Sequence, residues 1–232
     1  MKIEVVYVCP ANAGDQFIAY AWRFLESYHS NPPGMDHGTI IICNGSSPSN
    51  SVYALFKTMP DCKFFLHDNS GYDIGAFQHV SKSVHCDMMV FLGSSAYVQG
   101  EGWLERMAEA FKTNPDCQFG SMGNTGNLRI NVYPHIRTTG FWMRPSLFSS
   151  YPMLVNRPDQ RYPFEHGKYC FTQWLKRRGI ASYVVTWSGK FEMPNCNQDP
   201  NGFHRGDQSS LLCGDRLAEP PFYPERLACL RQ

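Results

Sequence analysis

Three polar clusters in this chain are candidates for chemistry. The first, Asn69-Ser70-Gly71-Tyr72-Asp73-Ile74-Gly75, precedes Phe77 and Val80, which share a helical face with Ile74. Its two glycines allow close backbone approach, and the amides of a helix starting there suit an anion such as a diphosphate. Asp73 would repel phosphate, so it is assigned to hydroxyls; a helix cap with a tight turn is the purely structural alternative. In the second cluster, Glu165-His166 opens an apolar pattern over Phe164 to Arg178. A carboxylate in a first helical turn also suits the helix dipole without any chemistry. The third, Phe203-His204-Arg205-Gly206-Asp207, follows the long loop expected from Met193 to Gly206. Arg137 adds a guanidinium able to pair two phosphate oxygens, though it also reads as a surface arginine. Trp142 suits either a sugar face or the core. No GxxxxGK[ST] is present, and Gly71-Tyr72-Asp73-Ile74-Gly75 lacks GxGxxG spacing. Gly120 to Gly126 reads as a mobile turn, since no helix follows it.

The chain around these clusters has 232 residues, 43% of them hydrophobic, which implies one domain with a substantial core. A formal charge of +1 provides no global field for duplex nucleic acid or an anionic membrane, so an anionic ligand needs a local site. Lys176-Arg177-Arg178 is the one basic run that could compensate. Nine cysteines without a CxxC pair read as buried free thiols rather than a zinc cluster. The opening run, with Glu4 inside it, is a strand and not a signal peptide, and no segment approaches the roughly 20 apolar residues of a membrane span. A cytoplasmic location is the expectation.

Strands are expected over Lys2 to Cys9, Thr39 to Cys43, Cys62 to His67 and Asp87 to Leu92. Helices are expected over Gly14 to Tyr28, Ser51 to Met59, from Asp73 onward, and around Trp103 to Phe111. This alternation is α/β: a mostly parallel sheet flanked by helices, which binds ligands at the carboxyl ends of its strands. That rule selects the loops Asn44–Ser47, Asp68–Asp73 and Gly93–Ala96. Beyond Gly120 the pattern becomes mixed, with a strand at His135 to Met143, a helix at Phe164 to Arg178, a strand at Ala181 to Trp187 and a short helix at Asp207 to Cys213.

The order of these segments resembles the GT-A fold glycosyltransferases, particularly the inverting polysaccharide and rhamnosyl transferases with their rhamnan-synthesis-type and viral relatives. The resemblance runs over Asn44-Gly45-Ser46, the Gly-Tyr-Asp-Ile-Gly-Ala segment, Gly93-Ser94-Ser95 and Glu165-His166. It implies one domain over 1–232: a nucleotide-sugar half (1–120), an acceptor half (121–215) and a tail (216–232). It further implies sugar transfer from a nucleoside-diphosphate donor to a glycan or other hydroxyl, with inversion. Donor contacts would come from Asn44, Ser46, Asn69, Gly71, Asp73, Gly75, Ser94, Ser95, Arg137, His204 and Arg205. Glu165 would be the general base, with His166 sharing or replacing that role, and Trp142 would face the acceptor. Family members usually carry Asp-x-Asp for Mn or Mg where this chain has Gly93-Ser94-Ser95. Metal dependence therefore stays open, with His204 as the candidate ligand. A silent nucleotide- or glycan-binding module and a sugar nucleotidyltransferase are the alternatives.

Overall fold

A computed structural model describes residues 1–198 and 208–217. The chain begins β1 (Ile3–Cys9), α1 (Asp15–Ser30), β2 (Gly38–Asn44), β3 (Cys62–His67), α2 (Tyr72–Ser83), β4 (Met88–Leu92), β5 (Tyr97–Val98) and α3 (Trp103–Thr113). It continues β6 (Gln118–Gly120), β7 (Gly123–Asn124), β8 (His135–Ile136), β9 (Gly140–Met143), α4 (Pro145–Ser149), α5 (Arg161–Glu165), α6 (Phe171–Arg177), β10 (Ser182–Val185), β11 (Lys190–Glu192) and β12 (Cys213–Gly214). The short helix expected over Ser51 to Met59 is present as a 3₁₀ helix, Ser51–Thr58.

Eight strands form one sheet in the order β11-β10-β6-β9-β4-β1-β2-β3. β1 to β4 run parallel, whereas β9 enters antiparallel between β4 and β6. The central strands are apolar at nearly every position because helices cover both faces. Alternate residues of β1 separate accordingly. Val5, Tyr7 and Cys9 pack with Phe24 of α1 and Trp103 and Met107 of α3, while Val6 and Val8 pack with Ile74 and Phe77 of α2 and Phe148 of α4.

The second half departs from the sequence reading in four places. The strand expected from His135 to Met143 is divided: β8 pairs with β7 in a separate ribbon, and β9 joins the main sheet. The intervening Arg137, Thr138 and Thr139 thereby cross the carboxyl end of the sheet. The helix expected from Phe164 to Arg178 breaks after Glu165. The His166 carbonyl accepts from Tyr133 N–H, and Cys170 N–H, which a continued helix would send there, donates to Gly167. Glu165 therefore ends a short helix instead of starting a long one. Residues 208–213 form no helix, because Cys213 and Gly214 pair with β5. Trp142, proposed for the acceptor, lies in the core: it stacks on Phe119 and donates its indole N–H to the Met107 carbonyl at 3.0 Å. A fully buried ring cannot meet a sugar.

The eight described cysteines are free thiols, five of them buried. Among the described residues no helix is long and apolar enough to cross a membrane.

The glycines of the Gly71–Gly75 segment serve packing. Gly71 occupies the left-handed region (φ 71°) ahead of α2. Cβ atoms at Gly71 and Gly75 would meet the Val155 carbonyl oxygen at 2.1 Å and 2.6 Å. The close approach foreseen for a donor is made instead to the protein's own backbone. Gly75→Ala is expected to destabilise the fold by about 1–3 kcal/mol, the usual cost of overpacking, as measured by urea unfolding; an unchanged midpoint contradicts this.

Candidate functional site

At the carboxyl ends of the parallel strands lies a cavity of about 500 Å³. β1 leads into it through Pro10 and Ala13, and α1 contributes Gln16, Phe17 and Tyr20. The segment after β3 adds Asn69, Tyr72, Asp73 and Ile74, so the first turn of α2 faces the space. Ser94 and Ser95 follow β4, and Arg137, Thr138 and Thr139 cross from the β8–β9 linker. Arg161, Glu165, Asp215 and Arg216 complete the wall. Three carboxylates thus oppose three guanidiniums.

The Gly93-Ser94-Ser95 turn is held from beneath. Tyr7 donates its hydroxyl to the Ser94 carbonyl at 2.7 Å, and Arg23 donates to the Ser95 carbonyl. Above the turn, Asp73 Oδ2 accepts from the Ser94 amide at 3.2 Å and the Ser94 hydroxyl at 3.4 Å. Burial pushes the Asp73 carboxyl above its ordinary value, against these hydrogen bonds and the charge of Arg161.

Glu165 is buried and heavily coordinated. Its Oε1 accepts from the Thr138 amide at 3.0 Å and hydroxyl at 2.9 Å, with Arg137 Nη1 at 3.8 Å. Its Oε2 faces His166 Nε2 at 3.0 Å. Burial alone would raise this carboxyl. The His166 hydrogen bond, the Arg137 charge and the Thr138 amide outweigh it and hold the group well below the usual carboxylate range. Arg137 Nε is a buried donor without an acceptor among the described residues.

His166 does not line the cavity. It stands behind Glu165, with Nε2 facing the carboxylate and Nδ1 3.1 Å from His135 Nε2, so it does not meet the space that Glu165 lines. His135 is fully buried, and burial pushes it down to about 4, leaving it neutral.

Among the expected donor contacts, the cavity unites Asn69, Asp73, Ser94, Ser95 and Arg137. Asn44 and Ser46 are placed apart. Ser46 lines an adjoining open groove with Asn12, Ser47 and Asp68, and Asn44 is buried with Oδ1 2.8 Å from His67 Nδ1. The groove meets the cavity at Asn69, which a Cβ on Gly45 would touch at 3.2 Å. Gly71 and Gly75 face Val155, and His204 and Arg205 lie outside the described residues.

Sequence reasoning passed over Arg161, Asp215 and Arg216. Asp215 is buried, accepting from the Gln208 side chain at 2.9 Å and from Thr139 Oγ1 at 3.4 Å. No local motif marks any of the three, since tertiary packing alone brings them to the strand ends.

An acidic pair that could hold Mn or Mg is missing from the β4 turn. Hydroxyls stand there, and Asp73, the carboxylate beside them, already has Oδ2 bound to Ser94. Hard divalent cations prefer carboxylate and phosphate oxygen, so this donor set does not fit them. Among the described residues, the group of three able to hold an ion is His135, Glu165 and His166, and of these only Glu165 lines the cavity.

No family model matches the sequence, and no curated protein matches it significantly. Solved structures do resemble it. Mouse xyloside xylosyltransferase 1, in its apo form, aligns over 79% of this chain and 84% of its own at 10% identity, with a TM-score of 0.51. The Pyrobaculum calidifontis mannosyltransferase PcManGT, in complex with GDP-Man and Mn2+, aligns over 67% of this chain at 9% identity and TM-score 0.49. S. aureus TarS 1-349, in complex with UDP-GlcNAc, aligns over 63% at 15% identity and TM-score 0.46. The chain spans about half the length of the last two, 49% and 46% respectively. The sheet order, the helices on both faces and the xylosyltransferase likeness identify the fold as that of the GT-A glycosyltransferases.

Proposed function

We propose that this protein transfers a sugar from a nucleoside-diphosphate donor to an acceptor hydroxyl with inversion, in glycan or polysaccharide synthesis. One observation carries the reading. Arg137, Arg161, Arg216 and the first turn of α2 meet Asp73 and Glu165 in a single cavity at the strand ends of a GT-A sheet. The donors bound to PcManGT and TarS, GDP-Man and UDP-GlcNAc, belong to the same ligand class.

In this reading Phe17 and Tyr20, 5.8 Å apart and edge to face, offer the base an aromatic wall. The diphosphate lies between the α2 amides and the guanidiniums of Arg137 and Arg161, which line the cavity. Asp73 receives hydroxyls of the ribose or the donor sugar. The acceptor oxygen forms a bond to the anomeric carbon as the bond from that carbon to the diphosphate oxygen breaks. The departing electron pair stays on the diphosphate, and its charge meets the arginines. The acceptor proton passes to the Glu165 carboxylate, which lines the cavity beside Arg137 and Thr138. So acidic a carboxyl is ionised at neutral pH and is a weak base. It suffices because the hydroxyl grows acidic as its oxygen bonds to carbon. A single displacement with one base inverts the anomeric centre. The positive charge in this step comes from the guanidiniums of Arg137, Arg161 and Arg216.

Nucleotide release from a panel of nucleotide sugars, with glycan acceptors and with water, tests the reading. Glu165→Gln is expected to lower kcat by about 10² to 10⁴, the usual contribution of a positioned base, with donor affinity kept. Donor binding without turnover in the native protein would favour a silent binding module instead.

Asp73 generates a second expectation. Its raised pKa means it takes up a proton at a higher pH than a free carboxyl does. Donor affinity, measured by calorimetry, is expected to weaken as pH falls through that range, because a protonated acid accepts hydroxyl hydrogens poorly. Asp73→Asn should bind weakly at every pH. An acid-side loss of affinity that persists in this variant would assign the titration elsewhere.

A further inference from the structure

Behind Glu165 lies an arrangement that the transfer reaction does not require. His135 Nδ1 is 2.7 Å from the Tyr133 carbonyl oxygen. A carbonyl only accepts, so Nδ1 carries the hydrogen and Nε2 presents its lone pair. That Nε2 lies 3.1 Å from His166 Nδ1, and the other nitrogen of His166 lies 3.0 Å from Glu165 Oε2. Each imidazole thus has one nitrogen fixed by an oxygen acceptor and the other aimed at its partner ring. Metal-binding histidines show this support, with the far N–H held by a carbonyl or carboxylate. The rings stand edge to face, 85° apart with centroids at 4.6 Å, so the two nitrogens meet edge-on. Bonds of 2.0–2.1 Å at a tetrahedral angle place two such nitrogens about 3.3 Å apart. The observed separation is close to that, and ligand atoms of all three residues lie within 4.8 Å of one another.

We propose that His135 Nε2 and His166 Nδ1 bind a zinc-type divalent ion, with Glu165 supplying anionic charge beside them. Imidazole nitrogens select zinc and its neighbours over Mg or Mn, which prefer all-oxygen sites. His135 is fully buried and His166 partly exposed, so the ion would enter past His166 and complete its shell with water. Glu165 Oε2 meets Nε2, the far nitrogen of His166, so the carboxylate supports that ring from the side away from the ion. Binding of the ion does not rest on the proposed transfer reaction.

The test uses untagged, chelator-treated protein titrated with Co2+ and Zn2+. One equivalent of Co2+ should give the visible bands of a tetrahedral nitrogen–oxygen centre, without the near-ultraviolet band of a cobalt thiolate. Zn2+ should displace it and raise the melting temperature. His135→Ala and His166→Ala should each weaken binding by about tenfold or more, with circular dichroism reporting whether each variant folds. If the buried His135 variant does not fold, the partly exposed His166 variant decides. Absence of the cobalt spectrum, a thiolate band, or affinity unchanged in folded His166→Ala overturns the site. An ion bound by both histidines in a protein that turns over no nucleotide sugar upholds the site and defeats the transfer reading.

Discussion

A buried carboxylate must be surrounded by donors, and Glu165 is the group around which the second half of this fold is arranged. Thr138 gives it an amide and a hydroxyl, Arg137 a guanidinium and His166 a ring nitrogen. Leaving such a charge short of partners costs several kcal/mol. The linker that carries Thr138 leaves the strand path and gives its amide and hydroxyl to this carboxylate, while the helix that carries Glu165 stops where Tyr133 takes the His166 carbonyl. Both breaks, which look like irregularities in the sheet and the helix, meet at this side chain.

The first half supplies a rigid floor by simpler means. The apolar strands β1 and β4 bury both faces, and their following loops emerge side by side. Tyr7 from β1 and Arg23 from α1 hold the Ser94 and Ser95 carbonyls. The polar turn is thus set from below, while α2, pressed onto the Val155 carbonyl through Gly71 and Gly75, is set from the side. The cavity is a space between two firmly placed walls, charged on both sides and balanced overall.

The first half was largely legible in the sequence because its signals are local. Alternating apolar strands and amphipathic helices announce a parallel sheet, and the loops after β3 and β4 do line the cavity, whereas the loop after β2 opens on the neighbouring groove. Asp73 stood out through its spacing from Gly71 and Gly75, although part of the reason for those glycines lay in Val155, far along the chain, with the Ser70 carbonyl crowding Gly75 as well. Glu165 was legible by type but not by setting, since the break after it depends on Tyr133 capturing the His166 carbonyl. Trp142 shows the limit from the other side. Strand periodicity does not say whether a ring faces solvent or core, and its register beside Val90 and Phe119 buries it. Arg161 and Asp215 come from segments with no motif and become part of the site only through tertiary packing.

The account stands on the claim that this cavity receives a nucleoside diphosphate, and a crystal structure with such nucleotides soaked in tests it most directly. The diphosphate should lie between the first turn of α2 and the guanidiniums of Arg137 and Arg161, with the base against Phe17 and Tyr20. A nucleotide held only in the groove beside Ser46 and Asp68, or a cavity that stays empty at saturating UDP, GDP, CDP and ADP, would contradict it.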